Sequence, residues 1–218
     1  MIPVILDTDI GTDVDDALAL TLAVHSPELD ILAVTTVGVN VRLRGRIARK
    51  LLRVLGRDEI PVAAGCDRRL NGKEFRPMPL SSARGFIESE QDGLPLQEQH
   101  AVDLIIDLIQ AANTKITLVL IGPLTNAAMA LKRCPQIGEK IERFVVMGGS
   151  IHPKDILKKE GWLKWVPGVL RAGMEYNLNT DPAAAEVILN SGIPMLLVPA
   201  EITFRTYLDI YMGQNFDE

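Results

Sequence analysis

The chain is poor in the residues that staple, anchor or zinc-bind a protein. Its 218 residues include two cysteines and three histidines, and aromatic residues make up only 5%. Cys66 and Cys134 lie far apart with no CxxC pairing, so neither a disulfide framework nor a thiolate zinc site is indicated. No apolar run reaches the ~18 residues that a bilayer span needs. Met1 leads straight into an apolar, strand-like segment, without the basic stretch and cleavage site of a secretory leader. A cytoplasmic location is the resulting expectation. A basic excess is also missing. The formal net charge is −5, which argues against nucleic acid or an anionic membrane as partner.

What is present is an ordinary globular composition, 47% hydrophobic and 23% charged. The length suits one large α/β domain or two small ones, and no internal repeat or linker divides it, so a single domain is expected. Short, continuously apolar runs read as strands buried on both faces: 2–6, 30–37, 60–63, 116–121, 142–147 and 194–198. Helical patterns lie between them, near 15–25, 42–56, 98–113, 124–133 and 181–191, with Asp15, Thr125 and Thr180 or Asp181 as plausible caps. This alternation predicts an open, mostly parallel sheet with helices on both faces, a Rossmann-like arrangement. Basic residues gather in 42–57, where Ile47, Leu51, Leu52 and Leu55 make an apolar stripe, so the charges read as a solvated helix face. Residues 64–97 have no clear period and read as a lid or irregular insertion; 148–174 is a second irregular stretch.

Five carboxylates fall within ten positions of "VILDTDIGTDVDDALAL": Asp7, Asp9, Asp13, Asp15 and Asp16. They follow the first strand, where open α/β sheets place their ligands. Helix capping and the helix dipole would need one or two of them, worth ~1 kcal/mol. A hard divalent cation accounts better for five, since it takes oxygen ligands and tolerates several carboxylates. An EF-hand loop starting at Asp7 fails, because its sixth and twelfth positions hold Thr12 and Leu18 instead of Gly and Glu. A Mg²⁺ phosphohydrolase of the haloacid dehalogenase type also opens on strand-DxD, with the first Asp as nucleophile. Its DxDx[TV] pattern meets Gly11 here. That reading stays open as an alternative.

Together with later stretches, the loop resembles the inosine–uridine-preferring nucleoside hydrolase family, whose fingerprint is a strand, DxDxGxDD and an apolar helix. Here the longer form DxDxGxDxDD occurs, with two residues added before the Asp-Asp pair. "AVTTVGVNV", "IGPLTNAAMAL", "VVMGGS" and "MEYNLNTDPAAAEVIL" are similar to the family's later elements, in order and with sensible spacing. The resemblance implies the nucleoside hydrolase fold and Ca²⁺-dependent hydrolysis of the N-glycosidic bond of ribonucleosides, a purine and pyrimidine salvage reaction. It implies Asp9, Asp16 and the carbonyl of Thr125 as metal ligands, and Asn40, Met147, Glu175 and Asn177 around the ribose. Asp15 is the implied general base, with Asp13 as competitor because the insertion shifts the alignment inside the loop. Asn126 reads as a helix-start or bracing residue. N-glycosidic cleavage passes through an oxocarbenium-like state, which an activated water and nearby negative charge would serve.

The resemblance is incomplete. The family's chains usually run further, into a C-terminal His-Asp element in which the His protonates the leaving base and the Asp completes the calcium shell. No His-Asp pair occurs here; His25, His100 and His152 read as capping, surface or loop residues. In the lid only Asp92-Gly93-Leu94 of the family's His-Gly-x-Asp-Gly-Leu is kept, and Val169 stands where an Asn is common. A shortened chain is therefore expected, and the surface it leaves uncovered suggests a homo-oligomer, dimer or tetramer. A non-catalytic metal- or ribose-binding member is the second functional alternative.

Overall fold

The computed structural model describes residues 1–77, 80, 95–152 and 175–205. Six strands form one sheet: β1 (Ile2–Thr8), β2 (Leu29–Thr36), β3 (Val62–Ala64), β4 (Ile116–Leu120), β5 (Ile141–Met147) and β6 (Met195–Val198). Their order is β3-β2-β1-β4-β5-β6, and every neighbouring pair is parallel. This is the doubly wound order with its reversal between β1 and β4.

The helices are α1 (Asp15–His25), α2 (Val41–Val54), α3 (Ala101–Ala111), α4 (Thr125–Arg133), α5 (Tyr176–Thr180), α6 (Pro182–Leu189) and α7 (Ala200–Thr203), with a 3-10 helix over Pro135–Lys140. Successive strand residues point to opposite faces, and β1 displays this directly. Val4 and Leu6 pack with Leu20 and Ala23 of α1 and with Ile47, Ala48 and Leu52 of α2. Ile5 joins the other layer, with Ile105 and Ile109 of α3, Ala127, Ala128 and Leu131 of α4, and Ile188 of α6. Each fully buried aliphatic side chain contributes roughly 1.5–3 kcal/mol, so the two apolar layers carry the fold. Helices therefore lie on both faces, as the strand–helix alternation predicted.

The boundaries differ in informative ways. β1 runs two residues past its apolar run because Asp7 and Thr8 pair with Thr35 and Thr36 of β2. The helical pattern expected over 181–191 begins with the cap of α6: Asp181 accepts a hydrogen bond from the Ala184 N–H, and Pro182 follows at the first helical position. Asp15 and Thr125 are instead the first residues inside α1 and α4, whose cap positions, Val14 and Leu124, make no side-chain capping bond. His100 does cap α3, its ring accepting from the Val102 N–H. Residues 78–79 and 81–94 of the stretch read as a lid, and 153–174 of the second irregular stretch, lie outside the described residues.

The basic face of α2 is solvated only in part. Arg42 and Arg53 are exposed, but Arg44 is 1% exposed and is the largest fully buried side chain among the described residues. The reason is periodicity: Arg44 lies three and four residues before Ile47 and Ala48, on the stripe that faces the sheet.

Candidate active site

At the switch point α1 leaves β1 toward one face and α4 leaves β4 toward the other, opening a crevice at the carboxyl ends of the central strands. The acidic loop lines it. Asp9 and Asp16 are both only 8% exposed, while Asp13 and Asp15 face solvent. The Thr8 hydroxyl donates to Asp16 Oδ1 and accepts from the Ile10 N–H at 3.0 Å, which ties the two ends of the loop together.

Burial dominates the electrostatics. It pushes the Asp9 carboxyl up to about 6, against the pull of the Arg44 guanidinium and with further repulsion from Asp15 and Asp13. Asp16 is raised well above the usual range by burial and by Asp9. Asp13 is raised by burial and by Asp15. A buried pair of mutually repelling carboxyls fits a hard cation, which would remove the repulsion and replace lost hydration. The side chains do not close a shell unaided: among the described residues, no three His, Cys, Asp or Glu side chains converge on one metal position. Main-chain, water or substrate oxygens would complete it. The Ile121–Gly122 peptide is close by: a methyl added at Gly122 would lie 2.8 Å from the Asp9 nitrogen and 2.9 Å from Asp9 Oδ1.

The other expected site residues divide into two groups. Asn40 is exposed just past β2 and takes a left-handed conformation, φ 57°, as the residue before α2. Met147 ends β5, half-buried. Glu175 and Asn177 are tied into the scaffold. The Glu175 carboxylate accepts the Asn177 and Leu178 N–H groups at 2.6 and 2.9 Å and caps α5. Asn177 Nδ2 donates to the carbonyls of Ile121 at 2.8 Å and Met147 at 2.9 Å, joining the ends of β4 and β5. The Thr125 hydroxyl donates to Asp181 Oδ2 at 2.8 Å, and its carbonyl belongs to the first turn of α4.

Four residues of the site were not assigned to it from sequence. Asp181, fully buried, also accepts the Leu70 N–H at 2.6 Å, so one carboxylate joins α4, α6 and the segment after β3. Asn126 is indeed a brace: its Oδ1 accepts the Cys66 N–H at 2.8 Å, and Nδ2 donates to Asp7 Oδ1 at 2.8 Å and to the Thr36 carbonyl at 3.0 Å. Arg44 is the third. Tyr176, the first residue of α5, is the fourth: burial first, then the Asp9 charge, raises its hydroxyl. Asp181 had a readable signal, the Asp-Pro that starts a helix; the network it anchors did not.

Asp7 decides against the phosphohydrolase reading. It is fully buried, with Oδ1 accepting from Thr35 Oγ1 at 2.6 Å and from Asn126, and burial pushes its carboxyl up to about 7. A nucleophile must reach its substrate, and this carboxyl is enclosed by β2 and α4.

Fold and crevice thus define a doubly wound α/β protein whose switch-point crevice is lined by carboxylates. Residues 4–216 match the model of the inosine-uridine preferring nucleoside hydrolases, and the chain belongs to that family. It is 35% identical over 212 residues to the uncharacterized protein C1683.06c of Schizosaccharomyces pombe, covering 94% of this chain and 63% of that one. It is 32% identical over 225 residues to the pyrimidine-specific ribonucleoside hydrolase RihA of Escherichia coli O9:H4, covering 99% and 65%. Among solved structures it is similar to the purine-preferring ribonucleoside hydrolase from Gardnerella vaginalis, with TM-score 0.79, 29% identity, and coverage of 97% and 65%. The chain thus spans a little under two thirds of each relative's length. No helix among the described residues is long and apolar enough to cross a membrane.

Proposed function

We infer that the protein acts on ribonucleosides, hydrolysing the N-glycosidic bond to free base and ribose with Ca²⁺ in the acidic crevice. One observation carries this reading: at the switch point, buried Asp9 and Asp16 stand beside solvent-facing Asp13 and Asp15. That division separates ligands from a base. Asp9 and Asp16 would hold the cation together with a main-chain oxygen of the Ile121–Thr125 loop, for which Thr125 is the sequence-based candidate. When bound, calcium supplies a Lewis acid and a template for water and the ribose hydroxyls. Asp15, exposed at the start of α1, takes the proton from the attacking water, with Asp13 in the same loop as its competitor. The neighbouring carboxylates stabilise the cationic sugar carbon as the base departs. Asn40 reaches the ribose from the end of β2. Glu175 and Asn177 shape the opposite wall through the ends of β4 and β5, beside Met147. The relatives' names point to pyrimidine and purine ribonucleosides as the substrate class.

The test is release of reducing sugar from inosine and uridine, with and without a calcium-selective chelator. Release that the chelator abolishes and added Ca²⁺ restores is the expected result. Unchanged release under chelation overturns the metal assignment. Ribose binding without turnover, measured calorimetrically, would instead favour a non-catalytic binding member of the family.

A further inference from the structure

We propose that Arg44 is a positioning residue, a clamp from α2 that holds the lengthened acidic loop in the shape that presents Asp9 and Asp16 to a cation. The proposal rests on the calcium reading above.

Its basis is where the guanidinium goes. Arg44 Nε donates to the Val39 carbonyl at 2.8 Å. Nη1 donates to the Asp9 carbonyl and, at 3.0 Å, to that of Ile10. Nη2 donates to Thr12 Oγ1 at 3.0 Å. One side chain therefore grips the loop at three residues, Asp9, Ile10 and Thr12, and anchors it to the turn after β2. Those positions span the stretch leading into Asp13 and the Asp15-Asp16 pair, where the loop is longer than the family's usual form. The turn after β2 lies against both partners: a methyl on Gly38, whose φ is +97°, would lie 3.9 Å from Arg44 Nε and 3.9 Å from Asp9 Cβ.

A buried cation beside a cation site looks self-defeating, since its charge repels the metal. The hydrogen bonds resolve the conflict. They go to carbonyl and hydroxyl oxygens of the loop, and a planar fork with several fixed donors can meet them at once. A lysine would keep the charge but lose the fork. Charge and geometry can therefore be separated by substitution.

The experiment compares wild type, Arg44→Lys and Arg44→Met in metal-free form. It measures Ca²⁺ affinity by calorimetry, amide exchange over residues 9–14, and the thermal midpoint with chelator present. Both variants should bind Ca²⁺ at least tenfold more weakly, and their loop amides should exchange faster while those of β4 and β5 keep wild-type rates. Three outcomes overturn the clamp. In one, Arg44→Lys binds as wild type does. In another, Arg44→Met binds more tightly, showing that only the charge mattered. In the third, the midpoint falls while affinity and loop exchange stay unchanged, as for a residue that merely packs. If wild type itself binds no Ca²⁺, the calcium reading fails. The loop exchange of Arg44→Lys then still decides whether the arginine holds the loop.

Discussion

Replacing Asn126 by aspartate changes one NH₂ to an oxygen at nearly constant volume, in a site where that group faces two acceptors. Asn126 Nδ2 lies 2.8 Å from Asp7 Oδ1 and 3.0 Å from the Thr36 carbonyl. With both carboxyls ionised, repulsion at that separation is about 6 kcal/mol at an effective dielectric of 20. The cheaper escape is for the introduced carboxyl to keep its proton. It then donates one hydrogen bond and loses the other, which costs ~1–2 kcal/mol. Holding that proton against the unfolded chain, where the group titrates near the ordinary value of about 3.9, costs about 1.4 kcal/mol more for each pH unit above it. The sign follows directly. A carboxyl with a raised folded pKa loses stability as pH rises. Asp7, pushed up to about 7, already carries a proton at pH 5, and one proton can serve the pair until wild-type Asp7 ionises. Relative to wild type, Asn126→Asp should therefore lose at least about 1.4 kcal/mol more between pH 5 and pH 8. Urea unfolding at the two pH values measures this, with Asn126→Leu as a control that lacks the titrating group. An equal loss at both pH values for Asn126→Asp would refute the reasoning.

Two other outcomes follow from the site's geometry. In metal-free wild type, Asp9 at about 6 and Asp7 at about 7 are both raised, so stability should fall as pH climbs from about 4 to about 7, and the raised Asp16 adds to the loss. Ca²⁺ should raise the thermal midpoint more at pH 8 than at pH 5, because the cation competes with those protons; an equal gain at both would contradict it. Gly122→Ala places a methyl 2.8–2.9 Å from the Asp9 nitrogen and Oδ1, so Asp9 must shift. Calorimetry should show Ca²⁺ affinity at least tenfold lower, and wild-type affinity would mean that Asp9 is not a ligand.

Apolar patterning carried most of the fold. Apolar runs such as 116–121, and Phe144–Met147 within 142–147, belong to strands sandwiched between two helix layers, and the structure places them there. The ends of elements were harder, because polar residues make them. Thr8 and Asp7 extend β1 through ladder pairing that no hydrophobic pattern signals. In the site, the acidic loop announced itself by charge density. Its supports did not, because a buried polar network depends on partners distant in sequence: Asn126 meets Asp7 across 119 residues, and Asp181 meets Leu70 across 111. Arg44 is different. Its place on the apolar stripe of α2 was legible, and its residue type suggested solvent.

The position of β1 at the centre of the sheet has a consequence for assembly. Asp7 pairs on one side with Thr35 and on the other with Leu120. The first neighbour arrives through one short βα crossover. The second must return from more than a hundred residues along the chain, and closing so long a segment is entropically slow. The crevice therefore comes into being only when the later half docks onto the earlier one. Until then its carboxylates sit on an open edge, hydrated and ordinary. An ion bound there rewards completion of the sheet more than formation of any single element.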